Sequence, residues 1–349
     1  TRFVQIGPNQ YVVYFQLFRD CNSGTASAPL TLTNVKMYDN ISNLLAGTYS
    51  FTRDSVETLS FGDACYTPPG LCVEVHYYSD TVTIANNPAG YYMTWEICCR
   101  NYAISNILNP GSQAMVFTSQ FPDPALLGGN SNPKFVDYPS DGYFCAGICK
   151  DIDFSCTDAD GDSLVYSFIT PYEGTSSTGS RPLTGVPWQS SPAHNLANIL
   201  GPGSQISINS RTGIVTACPR GLGTYVIAVK CEEFRNGVKI GEVNRDIQLQ
   251  SLNCKFTRIS FFKAKVLHAN NQQIKVRVNG QEQAFKLSGS ILTSKFGLRN
   301  GNNTISVIAN NGKIAQATII VNYQAIQKPT VTLSNLKGNI VTKDKSFTV

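Results

Sequence analysis

Short segments of alternating apolar and polar residues, separated by turn-forming clusters, constrain the fold of this chain most strongly. Tyr11–Phe18, Leu30–Tyr38 and Tyr91–Cys98 are examples, and Asn, Gly, Pro or Asp residues bound each of them. A period of two is typical of strands, because successive side chains point to opposite faces of a sheet. Long runs of helix-forming residues are missing, and only 15% of the residues are charged. The sequence therefore predicts an all-β protein of antiparallel β-sandwich domains.

Loop-rich joints divide the chain into tandem modules. The predicted domains are residues 1–134, 135–254 and 255–327, followed at 328–349 by the start of a further repeat that the chain does not complete. Ser346–Val349 reads like Ser260–Lys263, and a proline-marked joint, Gln327–Pro329, precedes this second copy. Further strands are predicted at Cys72–Ile84, Ala114–Gln120, Leu164–Thr170, Ile206–Ile208, Ile214–Thr216, Tyr225–Glu232 and Val243–Leu249. Tandem arrays of this kind are typical of spacers, stalks and filaments.

The third module shows the clearest turn chemistry. Ile274–Val278 runs into an Asn279-Gly280 pair, which is the strongest short hairpin signal. Thr304–Ala309 and Ala315–Tyr323 follow, with an Asn-Asn-Gly turn between them. This pattern predicts an Ig-like sandwich.

The chain has eleven cysteines, which is many for a protein in a reducing compartment. All are candidates for disulfide bonds: Cys21, Cys65, Cys72, Cys98, Cys99, Cys145, Cys149, Cys156, Cys218, Cys231 and Cys254. Their spacing lacks the paired CxxC pattern of a structural zinc site. We therefore expect an oxidising, extracellular environment, and an odd count leaves one thiol free or paired outside the fragment.

Some pairings are suggested by position. Cys98 and Cys99 are adjacent, and in a strand they would face opposite sides, so each is expected to take a different partner. Cys21 is a candidate for one of them and Cys145 for the other. Cys65 and Cys72 flank a Pro-Pro-Gly turn and are expected to close a small loop.

The sharpest local motif is DADGDSLVYS, which begins at Asp158. Asp158, Asp160 and Asp162 stand at alternate positions and can wrap oxygen ligands around a hard cation such as Ca²⁺. The EF-hand pattern fails, because the twelfth position is Ile169 where a glutamate is needed. Further ligands are expected first from Asp153 and Glu232, with Asp151 and Glu233 as others. The alternative is an Asp-rich turn that caps a strand without metal.

Other classes of function find little support. The net charge of +5 comes without a Lys/Arg block, so no nucleic-acid partner is expected. No apolar run is long enough for a membrane helix, and no signal peptide is visible, so Thr1 is expected to be a processed or trimmed start. The three histidines are His76, His194 and His268, scattered over three modules, and no GxSxG motif is present. We therefore expect no enzyme activity and no cofactor besides Ca²⁺.

Two polar or aromatic regions leave alternatives open. Tyr77, Tyr78, Tyr91, Tyr92 and Trp95 cluster around one predicted hairpin and could form a sugar-binding platform, although core packing is the commoner use. The segment 172–203 is rich in Gly, Ser, Pro and Thr. It is predicted to be either a functional loop or a disordered one.

A series of motifs carries a more specific resemblance. The motifs are YVVYFQLFRDC (Tyr11–Cys21), WEICCRNYAISNILNPGSQAM (Trp95–Met115), YFCAG (Tyr143–Gly147), DADGDSLVYSFITP (Asp158–Pro171) and CEEFRNGVKIGEVNRDIQLQ (Cys231–Gln250). In this order they resemble the giant secreted surface proteins of Bacteroidota that are associated with gliding motility and type IX secretion. Residues 140–254 also resemble a cadherin-like or Ig-like module, and 255–323 resembles the Ig-like spacer repeats of bacterial surface proteins.

The resemblance implies export through the type IX system and a place on the cell surface or in the medium. The predicted function is that of a fragment of a large adhesin-like structural protein that mediates attachment. The alternatives are a self-assembling subunit of an extracellular filament or grappling appendage, and a carbohydrate-binding module. Expected partners are other surface proteins, glycans, prey or host surfaces, or further copies in a filament, without membrane insertion.

Overall fold

The computed structural model describes residues 1–22, 27–61, 68, 70–123, 125, 129–139, 142–174, 180–253, 260–265, 271–296, 301–310, 314–324 and 327–337. Within these ranges the regular elements are strands, apart from two 3₁₀ turns at Pro110–Ser112 and Asn271–Gln273. The predicted all-β class with antiparallel sheets is confirmed. Among the described residues, no helix has the length and apolar character needed to cross a bilayer.

The strands are numbered in chain order. The first thirteen are β1 (Arg2–Gly7), β2 (Gln10–Asp20), β3 (Thr31–Asp39), β4 (Leu45–Leu59), β5 (Val73–Thr83), β6 (Tyr91–Ile97), β7 (Met115–Phe121), β8 (Lys134–Phe135), β9 (Tyr143–Cys145), β10 (Lys150–Asp153), β11 (Cys156–Thr157), β12 (Ser163–Ile169) and β13 (Tyr172–Glu173). The others are β14 (Thr184–Gly185), β15 (Gln205–Ile208), β16 (Ile214–Cys218), β17 (Gly223–Arg235), β18 (Val238–Leu252), β19 (Ser260–Lys265), β20 (Ile274–Val278), β21 (Gln281–Gln283), β22 (Phe285–Ser288), β23 (Ile291–Phe296), β24 (Gly301–Asn310), β25 (Ile314–Gln324) and β26 (Gln327–Lys337). All the strands predicted from alternation are present, within a few residues at each end.

The described residues fall into two compact units, one up to residue 253 and one from residue 260. In the first unit, the strand order β1-β2-β5-β4-β3-β6-β7 surrounds a core of side chains from residues 3–121. The long strand β4 joins its two layers, because residues 45–52 pair with β3 and residues 53–59 pair with β5. Phe15, Phe51 and Trp95 meet in this core from different strands.

A second core in the same unit is formed by side chains from residues 135–249. One layer is β18-β17-β12, with β9 parallel to β18, and the other is β10-β16-β15. Strand β18 also pairs with β7 over two residues, so one continuous sheet serves both cores. The predicted boundary between residues 134 and 135 falls between the two groups of core residues in the sequence, and it stays a prediction.

Two partly buried ion pairs and a loop connect the two cores. Arg100 binds Asp246 at 2.8 Å, and Arg181 binds Glu242 at 3.1 Å while lying over the Tyr92 ring. Arg181 belongs to the polar segment 172–203, of which residues 172–174 and 180–203 are described. Residues 180–203 contribute the buried side chains of Val186, Ile199 and Leu200. The disordered alternative is therefore wrong for residues 180–203, because apolar positions within the polar composition anchor them. The functional-loop alternative stays a prediction.

The second unit contains a three-stranded sheet, β19-β23-β22, and a five-stranded sheet, β21-β20-β24-β25-β26. The predicted hairpin is confirmed: Val278 pairs with Gln281, and Asn279 and Gly280 both have positive φ, as a type I′ turn requires. Strand β26, assigned from the sequence to the start of a further repeat, pairs with β25. The domain boundaries remain predictions, and Ser346–Val349 lies outside the described residues.

Two disulfides correct the predicted pairings. Cys98 bonds to Cys99, because β6 ends at Ile97 and the strand alternation that would separate the two sulfurs no longer applies. Cys21 bonds to Cys72, so neither Cys21–Cys98 or Cys21–Cys99 pairing nor a Cys65–Cys72 loop is formed. The reason is the strand register. Asp20 of β2 pairs with Val73 of β5, so Cys21, which follows Asp20, lies opposite Cys72, which precedes Val73.

The other described cysteines are either disulfide-bonded or free thiols. Cys149 bonds to Cys218, one step beyond the paired residues Lys150 and Ala217. Cys145 is disulfide-bonded, but not to Cys98 or Cys99 as expected. Cys156 and Cys231 are free thiols, contrary to their prediction as disulfide cysteines, although both belong to the second core. Cys65 and Cys254 lie outside the described residues.

Candidate metal centre

The Asp-rich motif forms a tight loop between β11 and β12. Asp158 Oδ1 accepts hydrogen bonds from the backbone N–H groups of Asp160, at 3.0 Å, and Asp162, at 2.8 Å. Gly161 takes a φ of +83°, which a residue with a side chain rarely adopts. The loop thereby turns the three aspartates toward one point, as alternate acidic positions predict.

A fourth carboxylate comes from the neighbouring strand. Glu233 lies near the end of β17 and is fully buried. Gly241 of β18 pairs with Glu233 across the two strands. A side chain at position 241 would clash with Glu233 Oε2. The glycine therefore makes room for the glutamate side chain.

These four residues bring oxygens close together. One carboxylate oxygen from each of Asp158, Asp160, Asp162 and Glu233 lies within 4.8 Å of the other three. Asp158 Oδ2 and both oxygens of Glu233 are buried and have no hydrogen-bond partner among the described residues. Asn130 and Asp162 face the Glu233 carboxyl group, but neither reaches it with hydrogen-bond geometry. Unsatisfied buried acceptors are costly, so this cluster requires a donor or a cation.

One guanidinium already serves part of the cluster. Arg235 Nε and Nη2 donate to the two oxygens of Asp162 at 2.8 and 2.6 Å. This bidentate contact lowers the pKa of Asp162. Arg235 therefore offsets the charge of Asp162 directly and acts on Asp160 and Glu233 through space.

The electrostatics of Glu233 follow from its surroundings. Burial, supported by the charges of Asp158 and Asp162, raises the pKa of Glu233 from 4.5 to about 8. Near neutral pH the side chain is therefore largely protonated unless a cation enters. A bound divalent cation would reverse this preference, because metals bind the ionised carboxylate.

The additional ligands predicted from sequence lie elsewhere. Glu232 faces away from the cluster, where Lys230 and Lys239 bind one of its oxygens at 2.9 and 2.7 Å. Burial opposes ionisation of Glu232, yet these two lysines hold its pKa below the usual range. Asp153 is exposed and accepts a hydrogen bond from the Ser155 backbone. The structure thus brings Glu233, not Glu232 or Asp153, to the three aspartates.

The residues beside the cluster reach into the first core. Asp160 Oδ2 accepts from the Ser131 backbone N–H at 2.6 Å, and Arg235 donates to Asn130 Oδ1 at 2.8 Å. Asn132 exchanges hydrogen bonds with Phe3 of β1, at 2.8 and 3.1 Å. We call residues 130–132 the joint segment, because it is bonded to β1 on one side and to the acidic loop on the other.

The other candidate residues do not assemble into a site. Tyr78, Tyr91, Tyr92 and Trp95 are buried in or beside the first core, so a sugar-binding platform made of these rings is wrong. His76 is buried on β5 between Arg53 and Glu74, and His194 is buried with its Nδ1 2.7 Å from the Pro192 carbonyl oxygen. His268 lies outside the described residues.

Comparisons with known proteins add little. No protein-family model and no curated protein sequence matches the chain. A chimeric titin Z1Z2 carrying a KLER peptide from decorin is 12% identical, with 53% of this chain and 90% of that chain covered and a TM-score of 0.17. The extracellular cadherin domains 1–5 of protocadherin gamma B2 are 10% identical, with 77% of this chain and 52% of that chain covered and a TM-score of 0.21. Similarity this low assigns neither a function nor a domain arrangement.

Proposed function

We propose that this chain is part of a bacterial cell-surface attachment protein, in which it serves as a load-bearing structural module and not as an enzyme. In this proposal, Ca²⁺ bound by Asp158, Asp160, Asp162 and Glu233 stiffens the joint between the two cores of the first unit. Attachment would be to other surface proteins, glycans, or prey or host surfaces. Export by type IX secretion and a link to gliding motility remain part of the proposal through the resemblance of the motifs.

The single observation that carries the calcium proposal is the buried Glu233 carboxyl group, which has no hydrogen-bond partner in the part of the chain that the structure describes. A protein that needed only a turn at residues 158–162 would not require a carboxylate there. All-oxygen donors at this spacing suit a hard cation, and Ca²⁺ tolerates irregular sets of carboxylates better than Mg²⁺ does. The residues present therefore fit the ion.

The mechanical role is supported by what the cluster contacts. The acidic loop and Arg235 hold the joint segment, and the joint segment holds β1 of the first core. An ion bound to these four side chains would link the acidic loop to β17 within the second core. It would oppose separation of the cores through the joint segment, which the loop and Arg235 of β17 both hold. The disulfides Cys21–Cys72 and Cys149–Cys218 each connect neighbouring strands and limit extension under load.

Calorimetric titration of Ca²⁺ into the chain tests the site. We expect one binding event in the wild type and a loss of at least tenfold in affinity in Glu233→Gln. Glu232→Gln is the matched control, because the adjacent glutamate faces the lysines, and it should bind as the wild type does. Absence of binding in the wild type, or equal affinity in Glu233→Gln, would overturn the site.

Force spectroscopy then tests the load-bearing role. The first unit should unfold at a higher force with Ca²⁺ than with a chelator, and Glu233→Gln should abolish the difference. Equal forces would leave a calcium site without the mechanical role. A filament subunit remains the alternative, and concentration-dependent sedimentation of the chain would favour it over a monomeric module.

A further inference from the structure

One arginine occupies an inward position that neighbouring apolar residues define. Val243, Ile247 and Leu249 of β18 are buried in the second core, and Arg245 shares their face of the strand. Its side chain is buried, with a residue exposure of only 6%. An arginine at such a position needs acceptors for its donors, because the charge has been removed from bulk water.

Arg245 has aromatic neighbours but no acceptor among the described residues. Its guanidinium lies 4.7 Å from the Phe135 ring centroid and 5.8 Å from that of Phe18. Neither a hydrogen bond nor an ion pair links it to any described side chain; Asp137 and Asp153 act on it only through space. Burial lowers the pKa of Arg245 to about 10, so it remains charged at neutral pH.

Arg245 lines a cavity of about 410 Å³ within the first unit. The acidic residues of the wall are engaged elsewhere: Asp246 binds Arg100 at 2.8 Å, and Asp54 accepts from Ser79 at 2.8 Å. Asp137 is largely exposed and lies 4.0 Å from Lys134. Among the described wall residues, the side-chain amide of Asn244 and the hydroxyl of Thr1 are also buried without a hydrogen-bond partner. Arg245 thus contributes a buried cation to a wall that also offers neutral polar groups.

We propose that this cavity binds a small ligand bearing a carboxylate, with Arg245 as the anchoring group. The planar guanidinium offers paired donors that match a carboxylate, and the flanking rings suit an adjoining ring or apolar body. The volume falls in the range of small-molecule sites. This inference deepens the proposed attachment function by naming a ligand class, and it does not depend on calcium.

Three probes of similar size test the assignment by calorimetry, with a chelator present. Methyl β-glucuronide carries a carboxylate on a hydroxylated ring, cyclohexanecarboxylate carries one on an apolar ring, and methyl β-glucoside carries none. We expect at least one acid to bind, and the glucoside to bind at least tenfold more weakly. Binding of the glucuronide would indicate that the natural ligand is a sugar acid, and binding of cyclohexanecarboxylate that it is an apolar acid. If neither acid binds, or if the glucoside binds equally well, the inference is wrong.

Arg245→Met keeps the length and apolar stem of the side chain and should weaken acid binding at least tenfold. Arg211→Met, at an exposed arginine, is the control and should bind as the wild type does. Unchanged acid binding in Arg245→Met contradicts the inference. If Arg245→Met does not fold, amide hydrogen exchange of the wild type with and without the acid replaces this test. The bound acid should slow exchange in the segments 133–137 and 243–246, which line the cavity, and unchanged exchange there would contradict the inference. Calcium binding is measured separately on the same protein, so failure of one proposal is distinguishable from failure of the other.

Discussion

Glu233 and Arg245 lie on the paired strands β17 and β18, and both are buried without a hydrogen-bond partner among the described residues. Their surroundings are opposite. Glu233 faces three aspartates, and burial together with these charges drives it toward protonation. Arg245 faces the rings of Phe18 and Phe135 and keeps its charge.

The difference between the two regions indicates what each lacks. Carboxylates crowded together repel each other, and a divalent cation relieves several of them at once. A guanidinium beside aromatic rings is stabilised by cation–π attraction to the ring faces. Its N–H groups, which point outward in the guanidinium plane, still need hydrogen-bond acceptors, and an anion supplies them. A buried charge without a partner thus points to a ligand, and the chemistry of its neighbours decides the sign of that ligand.

The largest expected effect comes from removing the charge of Glu233. The folded pKa of about 8 exceeds the ordinary 4.5, so without calcium the stabilising protonated form is lost as pH rises through this window. The wild type should lose up to about 4 kcal/mol between pH 4.5 and 8, and Glu233→Gln should lose much less. Urea unfolding of the chelated protein at several pH values measures this. Parallel pH profiles would show that Glu233 is not an isolated buried acid.

Breaking a satisfied pair in the same cluster should have the next largest effect. Asp162→Asn removes the bidentate partner of Arg235, whose side chain is 20% exposed, and frees the joint segment. We expect a loss of about 2 kcal/mol in chelator, because the partly buried guanidinium loses its bidentate carboxylate. Asp151→Asn, at an exposed carboxylate that accepts a hydrogen bond from Thr216, is the control and should change little. Equal stability of the two variants would contradict the structural role of the Asp162–Arg235 pair.

Replacing Arg245 by methionine should stabilise the protein, in contrast to the Asp162 substitution. Without its ligand the buried cation costs stability, so Arg245→Met should raise the free energy of unfolding by about 1–2 kcal/mol. Arg245→Ala, which also removes the packing on Phe135, should not give this gain. Chemical denaturation of both variants distinguishes them, and a strongly destabilised Arg245→Met would indicate an internal partner for the guanidinium.

The smallest effect is expected where the charges are paired and exposed. Glu282 in the second unit binds Lys275 at 3.0 Å and Arg277 at 3.2 Å, with more than half of its side chain exposed. Glu282→Gln should leave the unfolding midpoint of that unit unchanged within error, because water screens such pairs. A clear loss of stability would show that exposure alone does not separate important charges from unimportant ones.

Sequence reasoning found the strands whose alternation marks one buried face, and the Asn279-Gly280 hairpin. It missed β4, because Leu45–Leu59 is largely exposed on both faces and reads as polar. It found the three aspartates but favoured Glu232, since two adjacent glutamates look alike in composition. The signal for Glu233 was present: Ile227, Val229 and Cys231 are inward at a period of two, and Glu233 continues that face. Cysteine pairing could not be predicted, because it depends on the register of β2 with β5 and on where β6 ends.

A crystal structure of the chain grown with Ca²⁺ tests the central claim most directly. We predict a single ion coordinated by oxygens of Asp158, Asp160, Asp162 and Glu233 at about 2.3–2.6 Å. Anomalous scattering would identify the ion. A Glu233 carboxyl group that is protonated and hydrogen-bonded to Asn130, with no ion at saturating Ca²⁺, would contradict the account.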